Sequence, residues 1–274
     1  MVTLVPKYFS RYPIEGKSIT PDIFAGKSVK EIAELEAWEG NRKLTLGDLF
    51  EIKADNTTTE EVIINIKGNA SKVRNIGAQM TKGQIIVDGD VGMHVGEEMK
   101  GGSIIVTGNA GSWAGSQMKG GTIEINGDAG DYIGSAYRGS DKGMNGGTII
   151  IHGNAGHEIG NYMRNGFIKV MGSVGLFAGV HMRNGTILVL GESARRAGGH
   201  MTNGKIILVG PTEDVLPSFS IEEIKASVKA ESEKVAGPFY VFSGDNATDG
   251  KGKLFVSKAN NAQLSTYEKY LDEE

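Results

Sequence analysis

Cysteine is absent from this chain of 274 residues. That excludes disulfides, a thiolate nucleophile, cysteine-ligated zinc and any iron–sulfur cluster held by cysteines of the chain itself. Proline is scarce, at six residues, and aromatics make up only 7%. No apolar run reaches the roughly 18 residues a membrane-spanning helix needs, so no membrane association is expected. The first eight residues, Met1 to Tyr8, lack the long apolar core of a secretory signal, and a cytoplasmic location is the expectation. A net charge of −4 gives no general field for nucleic acid, which is not expected as a partner. Phosphate loops are missing too. Gly16-Lys17-Ser18 and Gly26-Lys27-Ser28 mimic the end of a Walker motif, but Arg11 and Pro21 stand where its leading glycine belongs. No nucleophile–histidine–acid set can be assembled from spacing.

Glycine is the exception to this poverty, with 41 residues. Its usual share is about 7%. The glycines fall into three columns, mostly stepping by 19 residues. The first is Gly68, Gly89, Gly108, Gly127, Gly153, Gly172, Gly191 and Gly210. The second runs from Gly77 through Gly96 and Gly115 to Gly198, and the third from Gly83 through Gly102 and Gly121 to Gly204. A unit this short buries no core alone, so units must stack.

Within each unit the apolar residues are as regular as the glycines. Ile64, Ile85, Ile104, Ile123, Ile149, Ile168, Ile187 and Ile206 stand four before the first glycine, and β-branched or leucine residues follow two later. That alternation is the signature of a strand with one buried face. Met80, Met99, Met118, Met144, Met163, Met182 and Met201 stand three before the third glycine and are expected to form a core ladder. The predicted fold is all-β: a right-handed parallel β-helix, a single-stranded solenoid of about seven to eight rungs with glycine corners and small mixed caps. A left-handed hexapeptide helix is the runner-up, since the 7-6-6 glycine spacing does not suit multiples of six. Leucine-rich repeats lack their Leu and Asn columns here, and a propeller blade needs about 40 residues. The expected organisation is an N-terminal cap at 1–61, the repeat region at 62–210, and a C-terminal cap with a charged tail at 211–274. Ser28-Val29-Lys30-Glu31 predicts a short helix near 28–35, and Gly40-Asn41 a turn. The polar stretch 55–61 reads as a loop. Ser220-Ile221-Glu222-Glu223 reads as a helix start, Phe239–Ser243 and Leu254–Ser257 as closing strands, and 266–274 as a charged, unstructured tail.

Several columns are candidates for chemistry, each with a plainer reading beside it. His181 and His200 occupy equivalent positions one unit apart, which suits either two metal ligands or a surface ladder. No carboxylate shares their column nearby. Asn69, Asp90, Asn109, Asp128, Asn154, Ser173 and Glu192 alternate acids with neutral groups, which keeps like charges from stacking. Trp113, Tyr132 and Phe177 form an aromatic stripe; it marks either an interface with a partner protein or a surface covered by the chain's own flanks. Lys100, Lys119, Arg164 and Arg183 form a basic column that suits solvent or an acidic partner. Two insertions break the period, at 71–75 and at 135–143, and insertions in stacked repeats gather at partner-binding corners. Tyr137 and Arg138 lie in the second and join the candidate interface.

The recurring Gly-x-x-Met-x-x-Gly-x-Ile-x-Val-x-Gly, with Gly-Asn-Ala-Gly-Ser-Trp-Ala-Gly at 108–115 and Gly-Asp-Ala-Gly-Asp-Tyr-Ile-Gly at 127–134, resembles the C subunit of formylmethanofuran dehydrogenase. So do Tyr137-Arg138-Gly139, the stretch from Pro21 to Ser28, Gly237-Pro238-Phe239-Tyr240 and Ser243-Gly244-Asp245. The repeat alone is also similar to the C-terminal domain of glutamate synthase. The resemblance implies a β-helical, non-catalytic member of a complex of methanogenic archaea that reduces CO2 to formate and joins it to methanofuran, the first step of methanogenesis. It further implies a tungsten- or molybdenum-pterin subunit, an amidohydrolase-type subunit with a dinuclear metal site, and iron–sulfur subunits as partners. All cofactors then belong to those other chains, and no catalytic, cofactor-binding or metal-binding residue is expected here. The C subunit of a bacterial formyltransferase/hydrolase complex and a stand-alone glutamate-synthase-like module are the alternatives. A carbohydrate-active β-helix enzyme would need a carboxylate cluster on one face, and none is apparent.

Overall fold

Alternation decides where strands form. The computed structural model describes residues 1–55 and 62–271, so the predicted loop at 55–61 lies almost wholly outside the described residues, as does the end of the charged tail, 272–274. The leading segment contributes β1 (Val2–Pro6), β2 (Ile14–Glu15), α1 (Pro21–Phe24), α2 (Val29–Ala33), β3 (Glu36–Glu39), β4 (Arg42–Thr45), α3 (Leu46–Leu49) and β5 (Phe50–Ala54). Each repeat then adds a strand: β6 (Ile63–Lys67), with the short β7 (Val73–Arg74) after it, β8 (Gln84–Asp88), β9 (Ser103–Val106), β10 (Thr122–Ile125), β11 (Asn145–Ile151), β12 (Asn165–Val170), β13 (Thr186–Val189) and β14 (Lys205–Leu208). The trailing segment holds β15 (Ser220–Ala230), β16 (Glu233–Gly244) and β17 (Gly252–Ser257), the last followed by a 3₁₀ segment, Ala262–Tyr270.

These strands correct the expected β-helix. They lie in one wide, open sheet of 13 strands, ordered β15-β16-β17-β14-β13-β12-β11-β10-β9-β8-β6-β1-β5, and not in a closed coil. The repeat strands and their immediate neighbours pair in parallel, while β5 and the β15–β16–β17 meander are antiparallel at the two edges. A smaller sheet, β4-β3-β2-β7, lies beside it. The physical reason lies in the rest of each repeat. Only its Ile-x-Val stretch has strand periodicity; the remainder is rich in glycine and left-handed backbone, which cannot continue a ladder. There the repeats stack as turns, joined by single parallel bridges such as Ala70↔Val91, Ala110↔Ala129 and Ser193↔Thr212.

Burial follows the alternation. The isoleucine and valine files of the repeat strands are fully buried, and so are all seven methionines from Met80 to Met201. Burying each methionine contributes roughly 1.5–3 kcal/mol. Glycine in the third column makes room for them: a Cβ on Gly121 would sit 2.6 Å from Met99 Cε and 2.8 Å from Gly102 O. A second apolar cluster, Phe167, Leu188, Ile207, Val228, Ala230, Phe239, Val241 and Phe255, forms where the β15–β16 hairpin covers the far end of the sheet. It explains why all four residues of β13 are buried.

The flanks differ in part from their sequence reading. Ser28 caps α2 in a full capping box with Glu31, and Gly40-Asn41 is the turn between β3 and β4. The expected helix start at Ser220 is instead the first residue of β15, since Val228 and Ala230 farther along must be buried against Phe239 and Phe255. Residues 266–270, read as tail, belong to the 3₁₀ segment, pinned where Tyr240 Oη donates to Glu268 at 2.6 Å.

Candidate functional site

Two positions in each repeat, one in the repeat that carries the 135–143 insertion, adopt left-handed backbone without glycine. Asn75, His94, Trp113, Tyr132, Glu158, Phe177 and Arg196 have φ between 54° and 67°. Four residues later stand Gln79, Glu98, Gln117, Tyr162, His181 and His200, with φ between 53° and 59°. An L-residue in this region costs roughly 1–2 kcal/mol. Most are held there by their backbone N–H, which donates to the next repeat: His94 to Ser112 O at 3.0 Å, Trp113 to Asp131 O at 2.9 Å, His181 to Gly199 O at 2.8 Å. The repeated geometry aligns successive side chains, and aromatic rings placed there stack.

Two stacks result. In the first, His94 and Trp113 lie 5.3 Å apart and Trp113 and Tyr132 4.6 Å apart, with interplanar angles of 3° and 11°. The inserted loop folds over this stack. Tyr137 tilts against both His94 and Trp113, and the Arg138 guanidinium sits 5.8 Å from the Trp113 ring centre. At the loop's other end Asp141 binds Arg164 at 3.2 Å and Arg183 at 2.8 Å, and Arg183 leads the interactions that hold its carboxyl below the usual range. The second stack is Tyr162, His181 and His200, spaced 4.5 and 5.0 Å. Burial, then the neighbouring His200, pushes the His181 imidazole down from its ordinary value. His200 donates its backbone N–H to the buried Asp245 at 2.8 Å. Burial opposes the charge on Asp245, but bonds from Ser218, His200 and Ala247 outweigh it and keep the carboxyl below its ordinary range.

Of the five candidate interface residues, four come together: Trp113, Tyr132, Tyr137 and Arg138. Trp113 is only 9% exposed, whereas Tyr137 is 46% exposed. Phe177 stands apart, with Arg196 5.4 Å above its ring. In the basic column Lys119 pairs with Glu98 at 3.3 Å, and Arg164 and Arg183 share Asp141. The Asn/Asp column does more than space charges. Asp90 Oδ1 accepts from Asn109 N–H at 2.7 Å, Asn109 Oδ1 from Asp128 N–H at 2.8 Å, and Asp128 Oδ1 from Asn154 N–H at 2.7 Å. Spacing flags the column; its bonding direction depends on the turn geometry.

Beside the first stack the leading segment makes a groove that sequence reasoning missed. Residues 14–22 are strapped along the turns of the first repeat: Gly16 N–H donates to Arg74 O, Gly77 N–H to Ile19 O, and Thr81 donates to Asp22 from both hydroxyl and amide. A cavity of about 510 Å3 opens between Trp38, Arg74, His94 and Tyr137, and a second of about 530 Å3 adjoins it between Asp22, Ile23 and Glu98. Lys17 and Glu97 line both. Glu97 is held below the usual carboxylate range by the His94 imidazole, whose Nδ1 is 3.4 Å away, and Asn75 donates to it at 2.6 Å. Among the described residues no three His, Cys, Asp or Glu side chains converge as a metal site, and no helix is long and apolar enough to cross a membrane.

No protein-family model matches the chain. It is similar over nearly its whole length to a chain in the crystal structure of the formyltransferase/hydrolase complex (FhcABCD) from Methylorubrum extorquens in complex with methylofuran. The identity is 36%, the TM-score 0.83, and the match covers 93% of this chain and 99% of that one. Two curated relatives match over 95 residues. The C subunit of molybdenum-containing formylmethanofuran dehydrogenase 1 from Methanosarcina barkeri is 40% identical, and that of tungsten-containing formylmethanofuran dehydrogenase 2 from Methanothermobacter wolfeii 44%. The chain belongs to the family of that formyltransferase/hydrolase chain, and its partial matches join it to the C subunits of the formylmethanofuran dehydrogenases. The stretch matched is 34% of this chain and spans about a third of each curated relative, 32% and 35%. The family's curated members are subunits of an oxidoreductase complex, and the solved relative sits in a complex of several subunits.

Proposed function

We propose that this chain is a non-catalytic subunit that docks and orients the catalytic subunits of a formylmethanofuran dehydrogenase complex. The observation that carries the reading is the whole-length likeness to a chain that works inside a multisubunit assembly. The interior agrees with it: the methionine and isoleucine files fill the space between sheet and turns, so reacting groups have no seat there. Stacked, mutually hydrogen-bonded repeats make a rigid body, and rigidity fixes the separation of active sites on neighbouring chains. The pterin-bound tungsten or molybdenum, the iron–sulfur clusters and the dinuclear metal site of such a complex do not fit the residues here. The chain offers no cysteine, and no metal-ligating cluster occurs among the described residues. In this reading those centres reside in pterin, iron–sulfur and amidohydrolase-type partner subunits.

The same likeness favours a second reading, a formyltransferase/hydrolase assembly that carries out no redox step. Affinity purification of the tagged chain from its native host, with identification of the co-purifying proteins and iron analysis, separates the two. The first reading expects iron–sulfur and pterin-binding subunits together with stoichiometric iron. Partners without iron would favour the second, and a chain recovered alone would defeat both.

A further inference from the structure

The groove beside the first aromatic stack is the strongest unassigned feature of the molecule. Its two cavities meet a third depression, bounded by Glu15, Lys17, Ser18, Ile23, Glu36 and Trp38. Lys17 lines all three, so the depressions adjoin one another as one solvent-facing channel. We propose that this channel takes an extended, arginine- or lysine-bearing segment of a partner polypeptide, which deepens the docking reading above and rests on it.

Two observations choose this occupant. The first is aromatic density. Six large aromatic side chains are exposed among the described residues; two of them, Trp38 and Tyr137, line the channel, and two more, Tyr8 and Tyr12, lie at its rim. Tyr8 donates to Glu39, next to Trp38, and Tyr12 packs against Gly40. Exposed aromatics gathered in one patch mark a protein-binding surface, and they are the side chains over which arginine and lysine bind best. The second is charge. Five carboxylates line the channel against two cations, Lys17 and Arg74. Glu15 is matched by Lys17 at 2.7 Å. Glu36 and Glu98 are matched from outside the channel by Lys43 and Lys119. Asp22 and Glu97 are different: Thr81 holds Asp22, Asn75 and the His94 imidazole hold Glu97, and no lysine or arginine pairs with either among the described residues. Both carboxylates line the channel together with Lys17. Carboxylates beside aromatic faces are the surroundings a guanidinium fits, by ion pairing on one side and stacking on the other.

The test uses the full chain and two fluorescein-labelled nine-residue probes, one alternating arginine with leucine and one alternating glutamate with leucine. Fluorescence anisotropy should show saturable binding of the arginine probe that weakens as salt rises. The double variant Asp22→Asn/Glu97→Gln, checked for native circular dichroism, should weaken it at least tenfold. Equal or tighter binding of the glutamate probe, or arginine-probe binding that the double variant leaves unchanged, overturns the proposal. In the assembled complex, p-benzoylphenylalanine in place of Trp38 should cross-link to a basic segment of another subunit. A cross-link to a second copy of this chain, to an acidic segment or to nothing in a complex that still co-purifies defeats the channel's assignment and leaves the docking reading standing. A chain that purifies alone defeats the docking reading itself.

Discussion

The two aromatic stacks are built on the same backbone device and meet opposite fates. Both use left-handed residues held by backbone hydrogen bonds, to the next repeat or, for His200, to Asp245, and both bring rings to within about 5 Å. The first acquires a cover. The insertion after Ser135 lays Tyr137 and Arg138 over Trp113, and the leading segment builds a channel against His94. The second has no insertion of its own; its edges are Arg183, 5.9 Å from Tyr162, and the Asp245 carboxylate below His200. Identical local geometry therefore does not make identical sites. What differs is whether non-repeating segments lay side chains over the rings, and that difference decides how much apolar area each ring hides.

The largest expected effect tests that claim directly. Trp113→Ala should cost about 3–5 kcal/mol, because a nearly buried indole and its two stacking partners are lost together. Trp113→Gly should be more stable than Trp113→Ala by about 1 kcal/mol, since φ of 61° strains alanine and not glycine. At His181, φ of 55° gives glycine the same advantage while much less is lost from the stack. His181→Ala should cost about 1 kcal/mol and His181→Gly close to nothing. Urea denaturation of the four variants measures all of this. Equal losses at 113 and 181 would show that the cover over the first stack contributes nothing.

How much of this is legible in the sequence follows from which signals are local. The strand files, the methionine ladder and the capped helix at Ser28 announce themselves by spacing, because each depends on residues a few positions apart. The stacks are half legible: a column such as Trp113 and Tyr132 is visible in the sequence, but its left-handed backbone is not, since glycine is the expected corner residue. A usable signal is present, for the left-handed positions stand two residues either side of the second glycine in every repeat but the one with the insertion, where only Tyr132 does so. The wide sheet reads as a closed coil because periodicity names the repeat and does not say which part of it keeps strand geometry. The channel is illegible. It joins residues 15–23 and 36–38 to 74–98, and nothing in the linear order of a non-repeating segment tells which turn it will lie along.

The loop that distinguishes the stacks supplies the middle-sized effect. Tyr137→Ala removes one ring that tilts against both His94 and Trp113 but is itself half exposed. The expected cost is about 0.5–1.5 kcal/mol. In a Trp38→Phe background the remaining tryptophan reports on the cover: its emission should move to the red when Tyr137 is removed. No comparable shift is expected from Arg183→Ala at the edge of the second stack, because Tyr162 carries no indole and Trp113 lies outside that stack. An unmoved spectrum in the Tyr137→Ala protein would mean that the stack is sealed without the loop.

The smallest effect belongs to the second stack and depends on pH. Burial and the adjacent His200 lower the His181 pKa in the folded chain, so the unfolded chain takes up a proton more readily. The stabilisation is therefore full above the ordinary histidine value of about 6.5 and drains away as pH falls through the depressed folded value. Because the ring is only half buried, the loss in melting temperature between pH 7.5 and pH 5 should amount to a few degrees at most. His181→Asn should flatten that part of the pH profile relative to the parent chain, while Trp113→Ala, which removes no titrating group, should lower the whole profile and leave its slope alone. If His181→Asn keeps the parent's slope, the acid sensitivity resides elsewhere, and the two stacks differ only in their cover and not in their response to protons.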